Sequence, residues 1–293
     1  MTRLTNNMRL PQPIVAAVSN DSYSKGDADF SVTELLSPPQ IVQLRKAHAH
    51  EITEDVSDRI WSLLGQAVHT IIERAGNNLT SLSETTVFSD YDGVTIKGQT
   101  DHVALDTGTL YDFKVTTVWK LAGNRIPDEW VQQTNIYRRM LAREHNVIIN
   151  QIAVIAILRD WSKREAERRA DYPQAQVMRL EIPVWSDEET DNFIRYRIAA
   201  HMAPDLPCTE EEIWAKPTRY AVMRQGRQSA IRLFDTLVEA ESHLGTLNAS
   251  HYIETRRGEA VRCQSYCAAA PFCEQWKNDP RNPADGNPPP TVS

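Results

Sequence analysis

From residue 57 to residue 202 the apolar positions change their period in an ordered way. SDRIWSLLGQAVHTIIERA, residues 57–75, repeats Ile60, Leu64, Val68 and Ile71 at helical spacing and predicts a helix with that stripe toward the core. Three segments of β character follow: ETTVFSDYD, VTIKGQTDHVAL and TLYDFKVTT. DEWVQQTNIYRRMLAREHN then returns to helical spacing through Trp130, Thr134, Tyr137 and Leu141. QIAVIAILRDW is a near-continuous run rich in Ile and Val, as in a central strand buried on both faces. MRLEIPVW predicts another strand, and SDEETDNFIRYRIAAHM a helix that opens on Ser-x-x-Glu capping chemistry. The order of elements predicts an α/β fold with a central mixed β-sheet flanked by helices.

Outside this stretch the texture alters. Residues 1–30 are polar, are broken by Pro11 and Pro13, and read as a flexible arm, which leaves a core over 31–203. Residues 204–278 form a smaller C-terminal unit, with a hairpin in YAVMRQGRQSAIRLF, a short helix in DTLVEAESHLG, and cysteines. Residues 279–293, rich in Pro, Asn and Asp, are expected to be a disordered tail. The chain is free of runs of 18 apolar residues and its N-terminus has no signal-peptide core, so a cytoplasmic protein with no membrane partner is expected.

The net charge of −7 argues against coating nucleic acid by bulk charge but leaves room for a local basic groove. Basic residues cluster at Arg159, Lys163, Arg164, Arg168 and Arg169, and again at Arg219, Arg224, Arg227 and Arg232. A solvated face accounts for such runs equally well.

Candidate chemistry lies in GQTDHVALDTGTLYDFKVTT, residues 98–117. A turn centred between Thr107 and Gly108 would set Asp101 opposite Lys114 and diagonal to Asp112, with all three on one face. Two carboxylates held together repel unless a cation lies between them, and Mg²⁺ or Mn²⁺ suits oxygen ligands. Such a metal polarises a phosphodiester and activates water, while a lysine orients the water or stabilises developing charge. An ordinary Asp–Lys cross-strand pair on a surface hairpin would give the same pattern. Two further features bear on the choice. His69 sits at the edge of its helical stripe, one turn before Glu73, and Gln133 and Tyr137 share a helix face at i,i+4.

Taken in order, GQAVH, GQTD, DFK and Q-x-x-x-Y resemble the RecB-like branch of the PD-(D/E)XK nuclease superfamily. The resemblance spans about residues 32 to 160. It implies a PD-(D/E)XK restriction-endonuclease-like core with metal ligands His69, Asp101 and Asp112, joined by the backbone carbonyl of Phe113. It also implies a catalytic Lys114, with Gln133 and Tyr137 handling the DNA strand.

Of the four cysteines, Cys208 stands apart, while Cys263, Cys267 and Cys273 fall within CQSYCAAAPFC. In a reducing compartment this clustering favours ligation over disulfides, by a [4Fe–4S] cluster or by tetrahedral Zn²⁺; unliganded buried thiols are the plain alternative. An iron–sulfur-containing subset of RecB-like nucleases, including CRISPR-associated ones and the AddB nuclease domain, is similar in ending on C-x5-C, as Cys267 and Cys273 do. This chain departs from that subset in two ways. SVTELLSPPQIV, upstream of His69, holds no cysteine, and Cys263 and Cys267 are one residue further apart than usual. The resemblance implies a structural cluster, and Cys208 is expected to take over the role of the missing upstream cysteine as fourth ligand.

These readings converge on a Mg²⁺- or Mn²⁺-dependent deoxyribonuclease, expected to act as an exonuclease on single- or double-stranded DNA ends. With no G-x-x-x-x-G-K-[ST] motif in the chain, any helicase or recombination partner would be a separate protein. The rivals are a nuclease-fold DNA-binding or recombination scaffold with weak catalysis, and a cysteine-ligated regulatory protein whose hairpin is incidental.

Overall fold

A computed structural model describes residues 3–20, 25–76 and 80–283. The chain begins with β1 (Arg3–Thr5), α1 (Gln12–Ser19), β2 (Phe30–Ser31), α2 (Val32–Leu36) and α3 (Pro39–Ala47). It continues through β3 (Thr53–Asp55), α4 (Ile60–Gly76), β4 (Ser81–Tyr91), β5 (Val94–Ala104), β6 (Thr109–Thr116) and α5 (Asp128–His145). Then come β7 (Gln151–Leu158), α6 (Lys163–Arg168), β8 (Val177–Ile182) and α7 (Asp187–Met202). The remainder holds β9 (Ala215–Lys216), β10 (Arg219–Arg224), β11 (Arg232–Phe234), α8 (Leu237–Leu244) and β12 (His251–Arg256). It ends with β13 (Glu259–Ala260), α9 (Val261–Ser265) and α10 (Glu274–Lys277). Among the described residues no helix is long and apolar enough to cross a membrane.

The elements divide into two units. The larger, residues 3–37 and 53–204, is built on a six-stranded sheet in the order β2-β5-β6-β7-β8, with β4 along the other edge of β5. The sheet is mixed: β6 and β7 run parallel, and β4–β5, β5–β6 and β7–β8 are antiparallel. β7, the strand with the continuous apolar run, lies between two neighbours, and Ile152, Ala153, Val154 and Ala156 are all buried. α5 buries Trp130, Thr134, Tyr137 and Leu141 as the spacing predicts, together with Asn135, Ile136, Arg138 and Met140. Of the two polar members, Asn135 is satisfied, whereas Arg138 is bonded through Nη2 and its buried Nε has no partner among the described residues. Asn135 bonds Pro183 O and Trp185 N–H, and Arg138 donates to Trp185 O and to Asp187 at the start of α7. The Ser186 hydroxyl caps α7 by accepting from Glu189 N–H at 3.1 Å, as its sequence signature predicts.

Two expectations need correcting here. The stripe Ile60, Leu64, Val68 and Ile71 is not a core stripe, because Leu64 is 38% and Ile71 65% exposed. Among its described residues α4 has none fully buried; it touches β4, β5 and β6 and also forms one wall of an open cavity, so its apolar stripe is only partly covered. The segment read as a flexible arm instead carries β1, α1 and Phe30. β1 pairs in parallel with β3, fixed by Asp55, whose carboxylate accepts from Thr5 Oγ1 and Asn7 N–H at 2.8 Å each. The Asn7 bond first, then two from Ser57 (its hydroxyl and its N–H) and the one from Thr5, hold the Asp55 carboxyl well below the usual carboxylate range.

The smaller unit joins residues 38–52 to 205–283. α3 therefore leaves the core expected over 31–203 and belongs with the C-terminal elements. Here β11, β10 and β12 form an antiparallel sheet that bears out the expected hairpin, and α8 follows it. Ile213, Ala260, Ala270, Cys273 and Trp276 make its core, with Leu44 of α3 packed against them. Of the expected tail, residues 279–283 are ordered. Asp279 and Asn282 are buried, and Arg281 bridges Asp279 and Glu210. Residues 284–293 lie outside the described ones.

Candidate metal centre and cysteine site

The hairpin of β5 and β6 turns through Leu105–Gly108, where Gly108 takes φ +63°. Its pairs are Ala104 with Thr109, Val103 with Leu110 and His102 with Tyr111. This register is displaced by two residues from the expected one, so it sets Asp101 toward Asp112 rather than opposite Lys114. The shift is even, so no side chain changes face, and the predicted convergence survives.

The ladder stops at His102, although β5 runs back to Val94 and β6 on to Thr116. Beyond that point the strands part, and the Asp101 carboxylate takes over from the ladder by accepting Phe113 N–H at 2.7 Å. The gap is the floor of a cavity of about 830 Å³, lined in part by Gly65, Gln66, His69, Glu84, Asp101 and Lys114. Gly98, at the first position of GQTD, has a steric reason to lack a side chain. A Cβ there would lie 3.1 Å from both Met140 Sδ and Tyr137 Cδ1, so the glycine lets α5 close on the sheet.

Within the cavity, ligand atoms of His69, Glu84 and Asp101 all lie within 4.8 Å of one another. His69 Nδ1 is 3.4 Å from Asp101 Oδ1 and 3.6 Å from Glu84 Oε1. Hydrogen bonding to Asp101, then to Glu84, raises the imidazole pKa to about 10, so His69 carries a proton between the two acids. Glu84 was not foreseen. It lies in β4 at φ +47°, unpaired between Ser83–His102 and Thr85–Thr100, and Gln99 Nε2 donates to its second oxygen at 2.5 Å. A left-handed non-glycine residue inside a strand leaves no mark on the alternation of side chains, so no sequence signal distinguished it.

Asp112 lies outside this close-set group. It is 2% exposed, and Lys114 Nζ stands 3.0 Å from Oδ1, to which it donates, and 2.8 Å from Oδ2. Burial raises the Asp112 pKa against the pull of Lys114, with Asp101 adding to the rise. Burial lowers that of Lys114, but Asp112 and Asp101 outweigh it and hold the ammonium above its ordinary value. Lys114 is thus a fixed cation facing the cavity, not a base. Phe113 lines the same cavity, its ring edge-on to His69 with centroids 6.5 Å apart. Gln133 Nε2 donates to the Tyr137 hydroxyl at 2.9 Å, and Tyr137 also reaches the cavity. The donor set of one imidazole and two carboxylates fits a hard divalent cation.

In the smaller unit, Cys208, Cys263, Cys267 and Cys273 line one small cavity of about 20 Å³ with Gln40, Leu44, Ile213 and Trp276. No disulfide links them. The upstream segment that lacks a cysteine contributes Gln40 of α3, whose Oε1 accepts from Cys208 N–H at 3.3 Å and from Cys273 Sγ at 3.8 Å. Gln275 grips Cys208 from the other side, through its N–H and its carbonyl at 2.8 Å each. Burial, then Glu212 and the other thiols, pushes Cys208 up to about 12. Burial and the neighbouring thiols push Cys263 up to about 11.

No protein-family model matches the chain, and no curated protein matches it. Eight chains of solved structures do match. One of them, described as "Crystal structure of SSO0001", is 16% identical with a TM-score of 0.46, covering 69% of this chain and 89% of that one. A likeness that slight carries no argument about the site.

Proposed function

We propose that this chain is a divalent-metal-dependent deoxyribonuclease with a PD-(D/E)XK-type core, hydrolysing phosphodiester bonds as an exonuclease at DNA ends. The observation that carries the reading is the grouping of His69, Glu84 and Asp101 beside the Asp112–Lys114 pair at the mouth of one splayed hairpin. His69, Glu84 and Asp101 would hold Mg²⁺ or Mn²⁺, and Asp112 stands one strand across from Asp101 to join them. The ion, when bound, supplies Lewis acidity to the scissile phosphate and to water.

Each residue of the chain has its own part. Asp101 is aimed into the cavity by the Phe113 N–H, which uses one of its oxygens and leaves the other toward His69. Gln99 orients Glu84 in the same way. Lys114, charged and fixed by Asp112, offers its ammonium to the phosphoryl oxygens as negative charge builds on them. Gln133 and Tyr137, bonded to each other, present a polar edge to the strand.

For the cysteines we infer a structural [4Fe–4S] cluster in preference to Zn²⁺. All four line one cavity, and Cys267 and Cys273 keep the C-x5-C spacing of the iron–sulfur-containing nucleases that the chain resembles.

The test is cleavage of end-labelled linear and closed circular DNA, single- and double-stranded, with Mn²⁺ or Mg²⁺, beside Asp101→Asn. Metal-dependent loss of label from linear DNA, abolished in the variant, is expected. Cleavage of closed circles would replace exonuclease with endonuclease. A folded, metal-loaded chain that cuts neither would be a DNA-binding scaffold instead.

A further inference from the structure

The first basic cluster of the sequence divides in three dimensions. Lys163, Arg168 and Arg169 are matched to Glu167, Glu165 and Asp171, so these three belong to a solvated, self-neutralised face. Arg159 has no ion pair among the described residues. Its guanidinium lies instead 4.0 Å from the ring centroid of Trp61.

Trp61 is 58% exposed and Trp119 is 80% exposed, whereas Trp130 and Trp276 of the same chain are 6% and 8% exposed. Leaving two indoles in water forgoes the largest apolar burial a side chain can offer. Both stand at the same end of the sheet. Arg159 N–H donates to Thr116 O at 2.9 Å, and Val118 N–H donates to Asp160 at 2.8 Å. These bonds zip the exit of β6 to the exit of β7, so Trp119 and Arg159 leave the sheet side by side. Thr116 is two strand residues, about 7 Å, beyond Lys114. Trp61 opens α4 one turn before Gly65 and Gln66, which line the metal cavity.

We propose that Trp61, Trp119 and Arg159 form a base-stacking platform at the rim of the cavity, and that its occupant is single-stranded nucleic acid. The inference rests on the nuclease reading and deepens it by naming the strandedness of the substrate. Exposed aromatic faces accept any unpaired base, and an arginine without a carboxylate partner supplies the charge that a phosphate backbone needs. Duplex bases, already stacked on one another, cannot use such a platform without being opened. The rim therefore selects unpaired strand and feeds it toward Lys114.

Binding is measured on the full-length chain in EDTA, so that nothing is cleaved, by fluorescence polarisation of a labelled oligothymidylate and of an abasic oligomer with the same number of phosphates. The wild-type chain is expected to prefer the oligothymidylate. Trp61→Ala and Trp119→Ala should each weaken it roughly 5- to 150-fold while changing the abasic oligomer by less than about twofold. Trp61→Phe and Trp119→Phe should recover most of the loss. Equal losses on both oligomers, no loss on either, duplex bound as tightly as the single strand, or no binding by the wild-type chain would each overturn the platform. Mn²⁺-dependent cleavage by the wild-type chain and by Lys114→Met is followed alongside. A wild-type chain that binds but cleaves nothing overturns the nuclease assignment while the binding data stand, undiminished cleavage by Lys114→Met overturns the placement of the active site, and tryptophan variants that bind normally overturn the platform while the nuclease assignment stands.

Discussion

Lys114→Met separates what the lysine does for the fold from what it does for chemistry. In the wild-type chain the Asp112 carboxylate is 2% exposed and Lys114 is its cation. Removing one partner of such a buried pair costs about 3–5 kcal/mol when the charge left behind cannot escape. Asp112 can escape by taking up a proton. The cost of neutralising it is at most about 4 kcal/mol at pH 7 and about 1.5 kcal/mol at pH 5, at about 1.36 kcal/mol for each unit above the ordinary carboxyl value. The sign follows from proton counting. The unfolded carboxyl titrates near its ordinary value, while the folded one, already raised by burial, climbs further without its lysine. Between those two values the folded chain binds more protons, so stability falls as pH rises through the window. Urea unfolding at pH 5, 6.5 and 8 should therefore show a Lys114→Met deficit that widens with pH. Asp112→Asn/Lys114→Met should regain most of the stability at pH 8 and none of the cleavage. A deficit that is the same at pH 5 and pH 8 would refute the buried-pair argument.

Further outcomes follow from the sheet and from each site. Gly98→Ala should cost about 1–3 kcal/mol in urea unfolding, because the new methyl meets Met140 and Tyr137 at 3.1 Å; an unchanged midpoint would mean α5 shifts freely. His69, raised to about 10 by Asp101 and Glu84, contributes stability that is full below its ordinary value and lost as pH rises through 10. A bound ion must displace that proton, so Mn²⁺ affinity measured by calorimetry should climb about tenfold per pH unit between about 6.5 and 9, and Glu84→Gln should weaken it; a flat profile would exclude His69 as a ligand. At the cysteine site, thiols raised to about 12 and about 11 at Cys208 and Cys263 should alkylate slowly with iodoacetamide at pH 8 in the metal-free folded chain. Cys273→Ser should lower the melting temperature of the loaded protein far more than that of the stripped one.

Much of the larger unit was legible because its signals are local. The unbroken apolar run of β7, the helical stripe of α5 and the Ser186 cap each state their own role, and the structure agrees. The hairpin was legible in face but not in register, since a turn at Leu105–Gly108 and one at Thr107–Gly108 differ by two residues and leave the alternation intact. Glu84 was invisible because its role depends on one left-handed backbone angle. The stripe of α4 misled for a different reason. Helical periodicity reports that a helix has an apolar side but not that anything covers it, and Trp61, Leu64 and Ile71 remain exposed. Nothing in the sequence of α3 tells that it packs beside cysteines more than 150 positions later.

That last connection sets a timetable for synthesis. Residues 38–52 leave the ribosome early, but Cys208 and the segment from Cys263 to Cys273 that complete their unit come after the whole central sheet. At about 5–20 residues per second, α3 waits roughly 8–30 s before even Cys208 is translated. During that interval Leu44 lacks the core of its own unit against which it packs, and the sheet of the larger unit is free to form first. A nascent chain stalled before Cys208 would hold a formed hairpin and metal cavity with α3 still unclaimed. Loss of the C-terminal cysteines would then be felt at residue 40 as much as at residue 273.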